Sequence, residues 1–445
     1  MFTVISITAT DGSIKFLEIG ALTTRKIAMF RFIHTADVHL DSPLKSLAVK
    51  EADAAALVAN ATRQSFERTV DICIEEEVDA LLIAGDLYDG TLHSMKTAAF
   101  FTHEMRRLAK SGIHVYMVRG NHDAESRITK HLELPENVHV FSNKEETVRW
   151  KDSDIFLHGV SFAKPHAPES LLPKYPRPRA GMVNIGLLHT SLVGSSEHDV
   201  YAPCSLSELT GQGYHYWALG HIHKREIHHN TGDMAVVMPG IPQGRHINEA
   251  GVKSVTFVRI DTDRKLHIEE RCTSLVQFER VDIDISGITT MKEVIGYAEK
   301  AFETALDAVE ATHLITRVCL TGSTSLAMRL RRDADVLAEE LRQAASRSGS
   351  VFIEKIINET QDIKQVEQPA GSDPINELHA LIQGDTLDVT NILEQVQELR
   401  TELQRKLPPE LREKWDIDSD NLMKNYCLPG AEQVLASLVL QQEPE

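Results

Sequence analysis

The residues Gly120-Asn121-His122-Asp123 stand one residue, Arg119, beyond the apolar run IHVYMV (113–118). An amide, an imidazole and a carboxylate in a row at the exit of a buried strand can close a turn, bind a metal ion or move a proton. Other segments bring the same residue types. Asp37 and His39 stand in TADVHL after FRFIHTA (30–36), and Asp86 and Asp89 in GDLYD after ALLIAG (80–85). His189 lies in VNIGLLHT (183–190), and His221 and His223 lie in GHIH after YWALG (216–220). Each alone is a weak signal, because a single histidine at a strand end is more often a hydrogen-bonded structural residue than a ligand. Five segments that each deliver Asp, Asn or His at a strand exit mean more, since ligands of open α/β sheets bind beyond the carboxyl ends of the strands.

The chemistry this set suits is a pair of divalent cations. Two ions held roughly 3.5–4 Å apart share a bridging ligand, acidify a water and neutralise charge that builds on a phosphate. A carboxylate bridges with one oxygen on each ion, and Asp86, central in the set, is the candidate. Asp37, His39 and His223 would complete one ion; Asn121, His189 and His221 would complete the other. In an extended segment the x of DxH and HxH puts the flanking side chains on the same side. Oxygen and nitrogen donors without sulfur favour Mn2+, Fe2+ or Zn2+.

Regular elements must hold these residues in place. From Phe30 to about Arg271, strand-sized apolar runs alternate with helical stretches such as MKTAAFFTHEMRRLAK, and IFLHGV (155–160), MAVVMPG (234–240) and SVTFVRI (254–260) add further strands. This alternation predicts a layered α/β domain over residues 29–274. Residues 275–365 read strand, helix, strand, helix, strand, a small α+β domain. VEQPAGSDP (366–374) reads as a linker and 375–445 as a helical tail. In that tail Val389, Ile392, Val396, Leu399 and Leu403 step by 3, 4, 3 and 4, one apolar stripe on a polar helix. Residues 1–28 alternate weakly, could form a hairpin, and read as a dispensable extension before Met29.

Bulk properties narrow the classes. A chain of 445 residues with 42% hydrophobic and 25% charged residues is an ordinary globular sequence of two or three domains. Its five cysteines, at 73, 204, 272, 319 and 427, form no CxxC pair, which argues against thiolate zinc sites and a disulfide framework and suits a reducing cytoplasm. No apolar run approaches the roughly 20 residues of a membrane-spanning helix. The net charge of −18 is unlike that of a protein that grips DNA alone. It is concentrated in residues 361–445, which hold 17 Asp and Glu against 7 Lys and Arg.

The order DxH, GDxxD, GNHD, H, GHxH resembles the calcineurin-like metallophosphoesterase superfamily. The words HTADVHLDSPL, AGDLYD, RGNHD, LLHTSL, ALGHIHKRE and PGIPQGRHINEAG are similar to those of its bacterial YhaO/SbcD-type DNA repair exonucleases. The resemblance implies a layered β-sandwich flanked by helices, a small α+β capping domain and a helical C-terminal tail. It implies the seven metal ligands above, two divalent ions with Mn2+ first, and a DNA substrate. It implies His122 as the catalytic histidine, which donates a proton to the leaving alkoxide or steadies the transition state. It further implies an SbcC/YhaN-like coiled-coil ATPase as partner, a homodimer, no membrane, and a cytoplasmic location. The Val389–Leu403 stripe would dock the ATPase, or pack on the tail itself, or pair two copies.

Some assignments stay open. Asp123 would orient His122 or the turn, or merely fill the turn. Arg245 and His246 in PQGRH would touch the substrate phosphate, or sit in a plain turn between strands. His34 reads as structural, and His228 and His229 as solvent-facing loop residues. Archaeal and eukaryotic relatives carry a second histidine where this chain has Asp89, so any role of that histidine in choosing exonuclease over endonuclease action does not carry over. The alternative is a small-substrate phosphodiesterase or phosphatase with the same metal site. The phosphatases usually have Arg-Gly after GDxxD and Glu after GNH, where this chain has Gly90-Thr91 and Asp123. A scaffold that had lost catalysis would lack some ligands, and none is missing.

Overall fold

The structure, a computed structural model, describes residues 7–10, 13–16, 29–42, 52–89, 94–125, 134–192 and 201–363, with 430 and 433. The predicted linker and the Val389–Leu403 stripe lie outside the described residues. Near the amino terminus, β1 (Ile7–Thr10) and β2 (Ser13–Phe16) pair antiparallel. Among the described residues no helix is long and apolar enough to cross a membrane. The chain divides into two compact units. One comprises Met1–Ser42, Ala59–Gln243 and Lys253–Thr273; the other comprises Pro43–Val58, Gly244–Val252 and Ser274–Glu445.

The first unit holds two six-stranded sheets. In one, β3 (Phe30–Thr35), β4 (Ala80–Ala84), β5 (His114–Val118) and β6 (Val138–Val140) run parallel. Its other side is the antiparallel pair β13 (Ser254–Ile260) and β14 (Leu266–Cys272), with β13 against β3. In the second sheet, β8 (Ile155–Gly159), β9 (Val183–His189), β10 (Tyr216–Gly220) and β12 (Ala235–Met238) are parallel. Antiparallel edges close it, β7 (Thr147–Arg149) beside β8 and β11 (Glu226–Asn230) beside β12. His228 and His229 therefore lie half-buried on an edge strand, not in an exposed loop.

Period-2 alternation explains the layering. Phe32, Leu82, Tyr116 and Val258 meet Leu157, Ile185, Tyr216 and Val237 in one buried cluster, which is the interior of a β-sandwich. The intervening residues Ile33, Leu81, Ile83 and Val115 face the other way. They pack on Phe66 and Val70 of α1 (Ala52–Glu75) and on Phe101 and Met105 of α2 (Met95–Lys110). The outer face of the second sheet is covered by Leu209 of α4 (Leu206–Gly211) and by Phe162, Leu172 and Tyr175. Strands buried on both faces read as near-continuous apolar runs, as these do. The result is a layered sandwich flanked by helices; the short helix α3 (Asn121–Glu125) follows β5.

The second unit contains a parallel three-stranded sheet of β15 (Val276–Asp284), β16 (His313–Thr321) and β17 (Val351–Asn358). Parallel neighbours require crossovers, supplied here by α5 (Met291–Asp307), then α6 (Ala327–Arg332) and α7 (Ala334–Arg347). Thr290 and Glu293 form a capping box that starts α5. Val294, Phe302, Leu337 and Leu341 pack on Ile283, Leu314, Val318 and Leu320.

His34 shows how tightly the sandwich treats a polar side chain. It is fully buried on the inner side of β3, where its Nδ1 accepts from Tyr216 Oη and its Nε2–H donates to the Leu219 carbonyl, both at 2.9 Å. Burial pushes its pKa from 6.5 down to about 3. The unfolded chain therefore takes up this proton first, so the stability His34 allows is complete above pH 6.5 and falls as the pH drops toward 3. Between pH 7 and 5 this group alone removes about 2 kcal/mol. Urea unfolding at the two pH values should show that loss in the native chain and its absence in His34→Gln; equal pH slopes in the two proteins would refute the assignment.

Candidate metal centre

The strands of the sandwich deliver the predicted residues to one place. Asp37 and His39 follow β3, Asp86 follows β4, Asn121 and His122 follow β5, His189 ends β9, and His221 and His223 follow β10. The loops after β3 and β4 stay zipped together: Asp37 N donates to Gly85 O at 3.0 Å, His39 N to Asp86 O at 3.1 Å and Leu40 N to Leu87 O at 2.9 Å. The backbone is bent sharply at the ligands. Asp37, His39 and Asp86 have φ of 52°, 45° and 51°, and His221 has φ of 107°. Non-glycine residues adopt such angles at roughly 1–3 kcal/mol each, and they gather at functional sites. DxH and HxH are therefore not extended, contrary to the sequence expectation. A left-handed bend at Asp37, His39 and His221, rather than strand alternation, sets their side chains.

Three groups of candidate ligands result. One atom from each of Asp37, His39 and His223 lies within 4.8 Å of the others, and the same holds for Asp86, His189 and His221 and for His39, Asp89 and His122. The His39 ring lies 5.3 Å from that of His223 and 5.1 Å from that of His122; the His189 and His221 rings are 5.1 Å apart. His189 is oriented by the chain itself, since its Nδ1–H donates to Ala84 O at 3.0 Å. Its Nε2 then faces Asn121 Oδ1 at 3.0 Å and Asp86 Oδ2 at 3.4 Å. With Nδ1–H given to Ala84, a proton or a cation at Nε2 would satisfy both oxygens at once. A carbonyl that fixes one ring nitrogen while the other faces the ion is the usual support of a metal-binding histidine. Imidazoles, carboxylates and an amide oxygen, without sulfur, fit divalent first-row ions.

The electrostatics agree. Burial raises Asp37 to about 6, although His189 and His223 draw it down. Burial also works to raise Asp86, but His189 beside it, with His39 and His122, holds it below the ordinary carboxylate range. Burial would lower His189, yet Asp86 and Asp37 outweigh it and push that imidazole up to about 9. Asp37 also accepts the His221 amide through Oδ1 at 3.1 Å and Oδ2 at 2.9 Å. Asp86 Oδ1 accepts the His122 amide at 3.0 Å. Close packing explains two motif glycines. A Cβ on Gly85 would lie 2.4 Å from His189 Nδ1, and one on Gly120 would lie 2.2 Å from Asp86 Oδ1.

His122 belongs to the third group, with His39 and Asp89. Its side chain is 40% exposed, and its Nδ1 lies 3.4 Å from Asp89 Oδ1. That contact, against the penalty of burial, raises the His122 pKa, and Asp89 is in turn held low by His122. The sequence assigns Asp89 no role, although it stands out as the second acid of GDxxD. Asp123, by contrast, is buried with its oxygens on backbone: Tyr88 N donates to Oδ1 at 3.0 Å and Gly120 N to Oδ2 at 3.1 Å. It ties the GDLYD loop to the GNHD turn. Arg245 and His246 belong to the second unit, where both meet Glu249, Arg245 Nη2 at 3.2 Å and His246 Nε2 at 3.4 Å.

Comparison with known proteins agrees with this geometry. Residues 30–225 match the family model of the calcineurin-like phosphoesterases, and residues 278–361 match the middle domain of the metallophosphoesterase YhaO. The metallophosphoesterase YhaO of Bacillus subtilis, itself described as uncharacterized, is 34% identical over 275 residues, 61% of this chain and 67% of that protein. The DNA double-strand break repair protein Mre11 of Methanopyrus kandleri is 24% identical over 292 residues, 60% of each chain. A dimetal phosphatase from Danio rerio aligns at 10% identity over 55% of this chain and 96% of its own, with a TM-score of 0.34, too low to build on. With one third of the positions identical across two thirds of the Bacillus protein, and both of its characteristic regions matched in order, the chain belongs to the calcineurin-like metallophosphoesterases, a family of divalent-metal phosphoesterases.

Proposed function

We propose that this phosphoesterase is a DNA nuclease, which hydrolyses phosphodiesters with two divalent ions, Mn2+ first among them. The observation that carries the reading is the pair of three-ligand groups, Asp37-His39-His223 and Asp86-His189-His221, with the half-exposed His122 imidazole beside them. Asn121, whose side-chain oxygen lies beside His189, would join the second group, and Asp86 would serve both ions. The ions, when bound, supply a hydroxide nucleophile and neutralise charge on the phosphoryl group. The chain's own residues do the rest. His122, a catalytic residue on this reading, gives its proton to the leaving oxygen. Asp89 orients that imidazole, and Asp123 fastens the two loops on which both sit.

DNA is favoured over a small ester by the kinship with an archaeal protein named for double-strand break repair. The absence of the phosphatase Arg-Gly and Glu at Gly90-Thr91 and Asp123 points the same way. A net charge of −18 leaves the grip on nucleic acid to another subunit, since phosphate contacts come from Lys and Arg. On this reading that subunit is an SbcC/YhaN-like coiled-coil ATPase docked on the Val389–Leu403 stripe, and the chain works as a homodimer in the cytoplasm.

In Mn2+, the chain with its ATPase partner should degrade linear duplex DNA; turnover of only bis-p-nitrophenyl phosphate or cyclic nucleotides would favour the small-ester reading instead. Metal analysis should find about two ions per chain, lost in Asp86→Asn. In His122→Asn metal content should persist while hydrolysis of DNA, with its sugar alkoxide leaving group, falls roughly 100- to 10,000-fold. Near-normal hydrolysis by that variant would remove His122 from the chemistry.

A further inference from the structure

The loop that carries His39 continues into Leu40-Asp41-Ser42, and no step so far uses its last two residues. Asp41 is clamped by the helical layer. Arg63 of α1 meets it with Nε on Oδ1 at 2.5 Å and Nη2 on Oδ2 at 2.6 Å. Thr97 of α2 donates its hydroxyl to Oδ2 as well, and Thr62 Oγ1 accepts the Asp41 amide at 3.1 Å. The bidentate guanidinium fixes the plane of the carboxylate as well as its place. Asp41 is itself bent to φ 63°, so the next residue is turned back: Ser42 N donates to His39 O at 3.0 Å. Ser42 is buried, at 2% exposure, and its hydroxyl donates to Asp89 Oδ2 at 3.0 Å. Asp89 Oδ1 is the oxygen that faces His122 Nδ1.

We propose that Ser42 is a positioning residue for the hydrolytic step: it holds one oxygen of Asp89 so that the other orients the His122 imidazole. The inference rests on the reading of His122 as proton donor. A carboxylate on a half-exposed loop can rotate about its last torsion, and a hydroxyl on Oδ2 removes that freedom and leaves Oδ1 for the imidazole. The anchor for the hydroxyl is remote from the site, in Arg63 and Thr97 on the outer helices. In the step served, an oxygen from water bonds to phosphorus and the bond from phosphorus to the leaving oxygen breaks. The leaving oxygen keeps the electron pair and takes the proton from His122. Proton donation matters where the leaving group is a poor one, such as a sugar alkoxide, and little where it is p-nitrophenolate, which is stable as an anion.

The test compares two substrates on Mn2+-loaded full-length protein, a thymidine dinucleotide and bis-p-nitrophenyl phosphate. Ser42→Ala should lower kcat on the dinucleotide about five- to tenfold, the worth of one hydrogen bond. Its KM, its metal content and its turnover of the nitrophenyl ester should change little. Ser42→Thr, which keeps the hydroxyl, should restore the dinucleotide rate. In histidine-labelled, metal-free protein the 15N resonances of the His122 ring, assigned by their loss in His122→Asn, should shift in Ser42→Ala and not in Ser42→Thr. If Ser42→Ala slows both substrates equally, or neither, while His122→Asn slows the dinucleotide selectively, the role of Ser42 is overturned and the reading of His122 stands. If His122→Asn shows no such selectivity, the proton-donor reading falls, and the role of Ser42 with it.

Discussion

Three carboxylates withdrawn from water in one corner of one sandwich set the terms for this molecule. Asp37, Asp86 and Asp123 are all buried at the exits of neighbouring strands. An isolated carboxylate in such a place would shed its charge, and Asp37 and Asp123 are indeed pushed up to about 6 by burial. What keeps Asp86 ionised is a layer of compensation that the fold builds around it: the His189 imidazole at 3.4 Å and the His122 amide at 3.0 Å. His189 and His223, with the His221 amide, do the same service for Asp37, and the amides of Tyr88 and Gly120 do it for Asp123. Amides contribute only partial charges. A site that concentrates this much negative charge on fixed oxygens, and sets imidazole nitrogens among them, is organised for cations.

That demand explains why the ligands sit where the backbone is least comfortable. A parallel strand ends with its carbonyls and side chains spread along a line, whereas two ions need donors gathered about two points. The left-handed bends at Asp37, His39, Asp86 and His221 convert the line into a cluster. They are sustained by the zipped loops after β3 and β4 and by packing so close that Gly85 and Gly120 leave no room for a Cβ. The sandwich supplies the rigidity: His34, Tyr216 and Leu219 tie β3 to β10 just beneath the site. Strain at the ligands is thus carried by the most deeply buried strands of the unit.

How much of this could be read from the sequence follows the same physics. Strands β3, β4, β5, β8, β9, β10, β12 and β13 are buried on both sides, and every one was legible as an apolar run. The strands that left no such run are β6, β7, β11 and β14, and these are the two edges of each sheet. An edge strand buries part of one face, so its sequence can stay polar: EIHHN in β11 and LHIEERC in β14 are mostly polar residues. The ligand set was legible because its members must be Asp, Asn or His whatever the backbone does. Their backbone geometry was not, because a positive φ on Asp or His leaves no mark of the kind that glycine does.

The two acids beside His122 show where neighbourhood in sequence misleads. Asp123 is adjacent in the chain, and the sequence offered it as the residue that orients the imidazole. Yet Asn121–Glu125 is helical, and on a helix consecutive side chains diverge by about 100°, so residues one apart do not face each other. Asp123 instead reaches back to the Gly120 amide and across to Tyr88, which is loop construction. The partner that faces His122 comes from the neighbouring loop, three residues after Asp86, and it is a carboxylate. An acid at that place stabilises the imidazolium, whereas a second imidazole would compete with it for the proton. Asp89 thus sets the electrostatic surroundings of His122 from a loop that adjacency in the sequence does not reveal.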